Sequence, residues 1–435
     1  MSLYSLTFLF RFLPFFLAVY YIIPAKFRKY VLILGSLLFV GFTDRLAVPA
    51  VAGAVLANWA LGRLMPRAPR AVLAIGVGCD LGLLLAARYC GLSLPGASFF
   101  CFSLLSYLAD VYRYAAPAAP LAGLGAYACM FPKLLSGPIA RYPALADEID
   151  APKCTCARVE DGLSLLILGL SYKVLLADPL GGLWSLAGKI GYESLSTPMA
   201  WLSALGFSLQ LYFDFQGYSL MAIGLGRMLG FSLPRNFDDP YCARSVSEFY
   251  RRWHITLGAW FRDYVYIPLG GNRCSRGRTL FNLLVVWVLT GLWHGPTANF
   301  VLWGLFLFLC IAAERFWLRP VLERHPVLSH LYVPLATGLS WVMFAIPDLS
   351  ALGTYYARML GLGGVNVNPA DWRTLAASYL PYLAAGVFFA LPYVGRLFRA
   401  HRNRWPIRIA LLALFWLTVS HLSATAGMPF LYSQF

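Results

Sequence analysis

Apolar runs long enough to form membrane helices follow one another along almost the entire chain, and short polar or basic segments separate them. Each spanning helix needs about 20 apolar residues, and the runs follow too closely to leave room for a soluble domain. The runs that predict helices are Leu3–Ile23, Tyr30–Phe42, Leu46–Leu61, Val72–Tyr89, Ala97–Tyr114, Ala118–Leu135, Gly162–Leu176, Ala200–Phe231, Leu280–Trp293, Phe300–Trp317, Leu331–Ile346, Tyr379–Leu397 and Ile409–His421. We therefore expect one all-α domain over residues 1–435, a polytopic integral membrane protein with about 10 to 12 transmembrane helices and short re-entrant or interfacial helices between them.

The polar connections predict an orientation in the membrane. Lys and Arg accumulate at 26–29, at 63–70 and, most densely, at 396–408. Because cytoplasmic loops carry an excess of these residues, all three segments are expected inside and both chain termini outside. The longest polar stretch, 142–161, is predicted to be a surface loop.

Composition agrees with a membrane protein, since 60% of the residues are hydrophobic and only 12% are charged. The 35 Lys and Arg exceed the 19 Asp and Glu, which gives a net charge of +16. These basic residues lie in short loops and form no separate basic domain, so we expect the lipid bilayer as a partner and no nucleic acid. The nine cysteines lie mostly inside apolar runs, which argues against a disulfide framework.

Two histidines stand out in the stretch from Ser245 to Pro296. When 247–264 is plotted at helical period, His254 falls on one stripe with Arg251 and Arg262. A face with two guanidinium groups cannot point at lipid, so it is expected to face an aqueous cavity or the interface.

His294 closes an apolar run and is followed by a Gly-Pro break. No Cys, Asp or Glu lies near enough in sequence to complete a metal motif, so no metal site is predicted. A single histidine in an apolar wall is often a hydrogen-bonded structural residue. Two histidines with special local settings make a catalytic pair an equal alternative.

Asp214 is the third outlier, because it lies within the predicted helix Ala200–Phe231. An ionisable residue at that depth costs about 2.5 to 3.5 kcal/mol on insertion scales, so it needs a partner or a cavity. It is expected either to pair with a buried Arg or cap a broken helix, or to belong to the functional site.

Several motifs in this region occur together and in one order: LYFDFQGYSLMAIGLGRMLGF, NFDDPY, EFYRRWHITLGAWFRDYVYIPLGGNR and TGLWHG. They resemble the membrane-bound O-acyltransferase family, and within it the bacterial branch that acetylates alginate and peptidoglycan. The resemblance is densest over 209–303, the expected catalytic core segment. It implies helices around a central tunnel, His294 as the catalytic histidine and His254 as a second essential one. Asp214, Arg251, Arg262 and Trp293 are the further candidates for donor binding or for lining the tunnel.

The resemblance also implies an activity in the bacterial inner membrane. An acyl group, expected to be acetyl from acetyl-CoA, would pass to hydroxyls of an exported polysaccharide, directly or through a periplasmic SGNH-type acetyltransferase partner, with no bound cofactor. Two alternatives remain: a D-alanyl transferase that uses a carrier-protein thioester, and a non-enzymatic transporter, which would predict inverted repeats that the sequence lacks. The sequence leaves open which polysaccharide is acylated and whether His294 is a base or a transient acyl carrier.

Overall fold

Helices make up the regular secondary structure of the computed structural model, which describes residues 1–402, 404–425 and 427–431, and no strand occurs in these ranges. In chain order the helices are α1 (Phe8–Ile22), α2 (Arg28–Thr43), α3 (Ala47–Leu64), α4 (Pro69–Tyr89), α5 (Ala97–Tyr112), α6 (Leu121–Cys129), α7 (Phe131–Leu134), α8 (Tyr142–Asp150), α9 (Cys156–Ile190), α10 (Thr197–Met228), α11 (Val246–Arg252), α12 (Ile255–Phe261), α13 (Arg276–His294), α14 (Ala298–Arg324), α15 (Pro326–Ala345), α16 (Leu349–Met359), α17 (Asp371–Phe389), α18 (Pro392–His401) and α19 (Trp405–Thr425).

Six helices of the described chain are long and apolar enough to cross a membrane: α3, α4, α9, α14, α15 and α19. The pair α17 and α18, bent by 69°, makes a seventh if it is counted as one span. The all-α polytopic class is confirmed, but fewer helices meet this test than the 10 to 12 predicted. One reason is that an apolar run does not reveal a break, as in the predicted helix 118–135, which is divided into α6 and α7 at Met130.

Two further local predictions differ from the structure. The predicted surface loop 142–161 begins with helix α8, which buries Tyr142, Leu145 and Ile149. The predicted helix 247–264 is broken at His254, whose φ of 45° and ψ of 51° lie in the left-handed region and end the helical path between α11 and α12. Helical periodicity continued through this break, so the sequence pattern alone did not reveal it.

Helix α10 lies at the centre of the fold and packs along α9. A side chain at Gly162 or Gly169 of α9 would meet the main-chain oxygen of Gly224 or Gly217 of α10. Small residues at these positions let the two backbones approach closely, as in other membrane helix pairs. This contact fixes α10, which carries Asp214 and the residues that pack against His254.

Basic residues gather at one end of the helices, where they pair with acidic residues. Arg227 and Arg402 both bind Asp161, and Arg408 binds Glu160. This clustering is what the excess of positive charge predicts for the cytoplasmic side. At the opposite end, Met1 and Phe430 line the same cavity.

Candidate functional site

Two cavities enter the protein and approach each other at its centre. The outer cavity, of about 760 Å³, is lined by the N-terminal residues, by the segment 92–99 and by Phe430. The inner cavity, of about 370 Å³, is lined by aromatic residues together with Arg251 and Arg262. We call them outer and inner according to the orientation that the basic loops predict. Among the described lining residues, His294 is the one common to both cavities.

His294 is the last residue of α13 and is only 3% exposed. The centroid of its ring is 4.7 Å from that of Trp293, 5.2 Å from Trp303 and 4.8 Å from Phe344. A guanidinium nitrogen of Arg88 donates to the main-chain oxygen of His294 at 3.3 Å. The imidazole is thus held by aromatic rings at the point where the two cavities approach each other.

His254 also lines the inner cavity and is 3% exposed. The ring of Phe215, from α10, packs perpendicular to the imidazole with a centroid distance of 4.6 Å, and Nδ1 is 3.1 Å from Oδ1 of Asn236. The ring centroid of Trp293 is 6.0 Å from that of His254. The two histidines therefore share one cavity and one aromatic neighbour, although they lie 40 residues apart in sequence.

The predicted arginine stripe survives the break in the helix, because Arg251, His254 and Arg262 all line the inner cavity. The two arginines differ in their partners. Arg262 binds the neighbouring Asp263 at 2.7 Å, and Arg141 binds the same carboxylate. Burial alone would raise the pKa of Asp263, but the hydrogen bonds from Arg262 and Arg141 hold that pKa below its ordinary value.

Arg251 forms no salt bridge within the described ranges, and it also lines a neighbouring polar cavity of about 810 Å³, which we call the vestibule. Arg244, Arg315 and Arg319 also line the vestibule. Its wall is fixed by Glu314, which accepts the main-chain N–H groups of Val246 and Ser247 at the start of α11. The vestibule is therefore lined by both signs of charge, since Glu248 and Glu323 also border it and Glu323 pairs with Arg319.

Asp214 does not line either cavity and is instead part of a buried ion cluster. Its Oδ1 lies 2.7 Å from Nζ of Lys173, and its Oδ2 accepts the main-chain N–H of Leu431 at 2.8 Å. The structure thus gives it a buried cationic partner, but that partner is a lysine of α9 and not the expected arginine. Trp293, in contrast, lines the outer cavity beside His294.

No group of three or more His, Cys, Asp or Glu that could hold a metal ion occurs among the residues that the structure describes. Sequence reasoning missed Asn236, Trp303 and Lys173, which support the site or its surroundings. Asn236 begins the quoted NFDDPY motif, so that motif was the available signal for it. Trp303 lies in an apolar run that shows no local irregularity. Lys173 is an ionisable residue within the predicted helix 162–176, so it gave the same signal as Asp214.

Comparison with known proteins identifies the fold. Residues 92–354 match the model of the membrane-bound O-acyltransferase family. The chain belongs to this family. It is accordingly an acyltransferase, and a multi-pass protein of the bacterial inner membrane.

Named relatives within the family act on different polymers. A protein of Pseudomonas putida named "probable alginate O-acetylase" is 32% identical and aligns over 99% of both chains. A peptidoglycan O-acetyltransferase of Helicobacter pylori is 29% identical over 83% of this chain and 80% of its own. A teichoic acid D-alanyltransferase of Lacticaseibacillus rhamnosus is 32% identical over 43% of this chain and 51% of its own.

Proposed function

We propose that this membrane O-acyltransferase moves an acetyl group from acetyl-CoA, bound from the cytoplasmic side, to hydroxyl groups of an exported polysaccharide. The observation that carries the proposal is the position of His294 in the walls of both cavities. A donor in the inner cavity and an acceptor in the outer cavity can each approach this side chain without crossing the protein.

The reaction needs one proton acceptor. An acceptor hydroxyl attacks the thioester carbonyl, its proton passes to a nitrogen of His294, and a C–O bond forms as the C–S bond breaks. The leaving thiolate then takes that proton, which yields the acetyl ester and free thiol. In a second version His294 itself carries the acyl group before the hydroxyl attacks. The aromatic rings around His294 favour either version by excluding water from the reacting carbonyl.

Arg251 is the proposed ligand for the phosphate groups of the donor. It lines the inner cavity and the vestibule, and it forms no salt bridge among the residues that the structure describes. Arg262 is a weaker candidate, because Asp263 already binds its guanidinium group. A thioester group in the inner cavity would leave the phosphates at the vestibule, where further arginines lie.

The outer cavity has the character expected for a hydroxyl-rich acceptor. Ser2, Ser5, Thr43, Ser93 and Ser98 are part of its lining. These hydroxyls can both donate and accept hydrogen bonds, as polysaccharide hydroxyls do. We propose that the acyl group reaches the polymer here, directly or through a periplasmic acetyltransferase of the SGNH type.

The test uses purified protein in lipid nanodiscs, radiolabelled acetyl-CoA and an oligosaccharide acceptor. His294→Ala should reduce transfer, normalised to folded protein, by at least about 100-fold, the usual contribution of a general base. His330→Ala, which alters an exposed histidine, serves as the control. Wild-type transfer by the His294→Ala variant would eliminate the catalytic assignment.

Two further experiments distinguish acetyl transfer from the two alternative functions. Transfer from a D-alanyl carrier-protein thioester, with no transfer from acetyl-CoA, would assign the activity to the D-alanyl branch. In cells, polymer export that persists in the His294→Ala strain while acetylation disappears would rule out a transporter. Loss of export together with acetylation would instead favour the transporter.

A further inference from the structure

Asn236 is a buried polar residue, 1% exposed, in the extended segment that connects α10 to α11. Its side chain contacts two separate parts of the fold: Ser219 of α10 and the junction between α11 and α12 at His254 and Thr256. Thr256 in turn accepts the main-chain N–H of Ile139. Asn236 therefore connects α10 with the break in the chain that carries His254.

The hydrogen bonds fix which end of the Asn236 amide is oxygen. The main-chain N–H of Thr256 can only donate, and it lies 3.3 Å from the atom assigned as Oδ1. The hydroxyl of Thr256 accepts from Ile139 at 3.0 Å and can then donate its own hydrogen to the same oxygen at 2.9 Å. The opposite end of the amide donates to the hydroxyl of Ser219 at 3.1 Å. A reversed amide would place its NH2 group against the N–H of Thr256.

This orientation decides the tautomer of His254. Nδ1 lies 3.1 Å from Oδ1 of Asn236, and a carbonyl oxygen only accepts hydrogen bonds. Nδ1 must therefore carry a hydrogen. Because a neutral imidazole has one N–H, the lone pair is on Nε2.

The backbone of the same segment holds His254 in place. The main-chain oxygen of Asn236 accepts the N–H of Ile255 at 2.9 Å, and the N–H of Asp238 donates to the oxygen of Arg252 at 2.9 Å. These bonds lie on both sides of His254, whose left-handed backbone is unfavourable for a residue with a Cβ. Such a conformation persists when its surroundings over-determine it.

We propose that Asn236 is a positioning residue that selects the Nδ1–H tautomer of His254 and thereby makes Nε2 the proton-accepting nitrogen of this ring. The inference deepens the proposed function, and its activity measurements rest on that function. His254 then cannot donate a proton to the leaving thiolate as a neutral ring. Its Nε2 can accept a hydrogen bond from a protonated group in the inner cavity, which His254 lines.

The side chains that face His254 determine how its protonation would respond to a charge introduced at position 236. Phe99, Phe215 and Trp293 pack against the ring from α5, α10 and α13. The titratable or charged groups that share the inner cavity with it are His294, Arg251, Arg262, Tyr250 and Tyr266, and no described residue that lines this cavity is an aspartate or glutamate. Asn236→Asp would introduce a carboxylate in contact with Nδ1, which favours the imidazolium form.

Nitrogen NMR of enzyme labelled with ¹⁵N-histidine tests the tautomer directly, with His254→Gln used to assign the signal. The wild-type protein should show His254 protonated at Nδ1, and Asn236→Ala should shift it toward the Nε2–H tautomer. A wild-type signal from the Nε2–H tautomer, or a tautomer that Asn236→Ala leaves unchanged, would overturn the inference. This measurement does not depend on turnover, so it still decides the role of Asn236 if no acyl transfer is found.

The pH profile of transfer gives a second readout. In Asn236→Asp the acidic limb of kcat should move to higher pH by about one unit or more, while activity recovers at alkaline pH. In Asn236→Ala kcat should fall about 10- to 100-fold. Asn368→Asp, which adds a carboxylate at an exposed site, should leave the profile in place. A uniform loss in Asn236→Asp at every pH would indicate that Asn236 only packs, and would contradict the proposal.

Discussion

Substitutions in the buried ion cluster around Lys173 distinguish a structural role for Asp214 from a catalytic one. Nζ of Lys173 lies 2.6 Å from Oδ1 of Asp178 and 2.7 Å from Oδ1 of Asp214. The two carboxylates also accept main-chain N–H groups of the C-terminal segment, from Met428 at 3.2 Å and from Leu431 at 2.8 Å. The cluster therefore connects α9, α10 and the segment 427–431.

The size of the effect follows from which charges remain after substitution. Lys173→Met leaves two buried carboxylates without their ammonium partner, and removing one member of a buried pair costs about 3 to 5 kcal/mol. Asp214→Asn keeps the pair between Lys173 and Asp178, and its amide oxygen can still accept from Leu431. Its expected cost is that of one charge-assisted hydrogen bond, about 1.5 to 3 kcal/mol. Lys189→Met, at an exposed lysine of α9, should stay within about 0.5 kcal/mol of wild type.

Thermal unfolding in nanodiscs, followed by tryptophan fluorescence, should rank the midpoints as Lys189→Met, then Asp214→Asn, then Lys173→Met as the lowest. Transfer is measured at a temperature below every midpoint and normalised to folded protein. If Asp214 is structural, the Asp214→Asn variant should remain within about threefold of wild type. An unchanged midpoint with more than about a 100-fold loss of activity would refute this reasoning and indicate that Asp214 belongs to the functional site.

Four further substitutions test the assigned surroundings of the site. Arg251→Gln should raise the KM for acetyl-CoA about tenfold and weaken the dependence of KM on ionic strength. Arg262→Gln should raise KM less, because Asp263 already neutralises the charge of Arg262. An equal effect of the two substitutions would contradict this distinction. Trp293→Ala should open the wall beside His294 to water, which is measured as a higher ratio of thioester hydrolysis to transfer; an unchanged ratio would argue against a barrier there. The pKa of Asp263 is lower in the folded protein than in the unfolded chain. Its carboxylate therefore stabilises the fold above the unfolded pKa, and this contribution is lost as the pH falls through the folded pKa. The difference in thermal unfolding midpoint between wild type and Asp263→Asn should accordingly shrink from pH 7 to below about pH 4.

The sequence was sufficient for the class of fold, and it singled out the two histidines that the structure places in the wall of the inner cavity, because these signals are local. An apolar run has the length of a membrane helix wherever it occurs, and the motifs around His254 and His294 are contiguous. The partners of polar residues are not local. Asp214 lies 41 residues after Lys173 in sequence, and only the packing of α9 on α10 brings them together. Of the alternatives left open for Asp214, the structure has a buried ion pair, with Lys173 in place of an arginine.

The break at His254 is the most instructive difference. The residues that determine it are in the preceding connection, where Asn236 and Asp238 bind the chain on both sides of the histidine. Periodicity within 247–264 contains no information about these bonds, so a continuous helix was the natural prediction. The stripe of Arg251, His254 and Arg262 nevertheless remained on one cavity wall, because the two short helices on either side of the break both border the inner cavity.

Under the proposed function, the different linings of the two cavities explain why His294 lies between them. A donor with phosphate groups needs positive charge, which Arg251 and the vestibule supply on the inner side, and a polysaccharide needs hydroxyl groups, which line the outer side. The membrane must remain sealed between the two. Trp293, Trp303 and Phe344 surround the imidazole with aromatic rings, so the acyl group can meet both substrates at one side chain without an open aqueous path. A single histidine common to both cavities is the arrangement that satisfies both requirements.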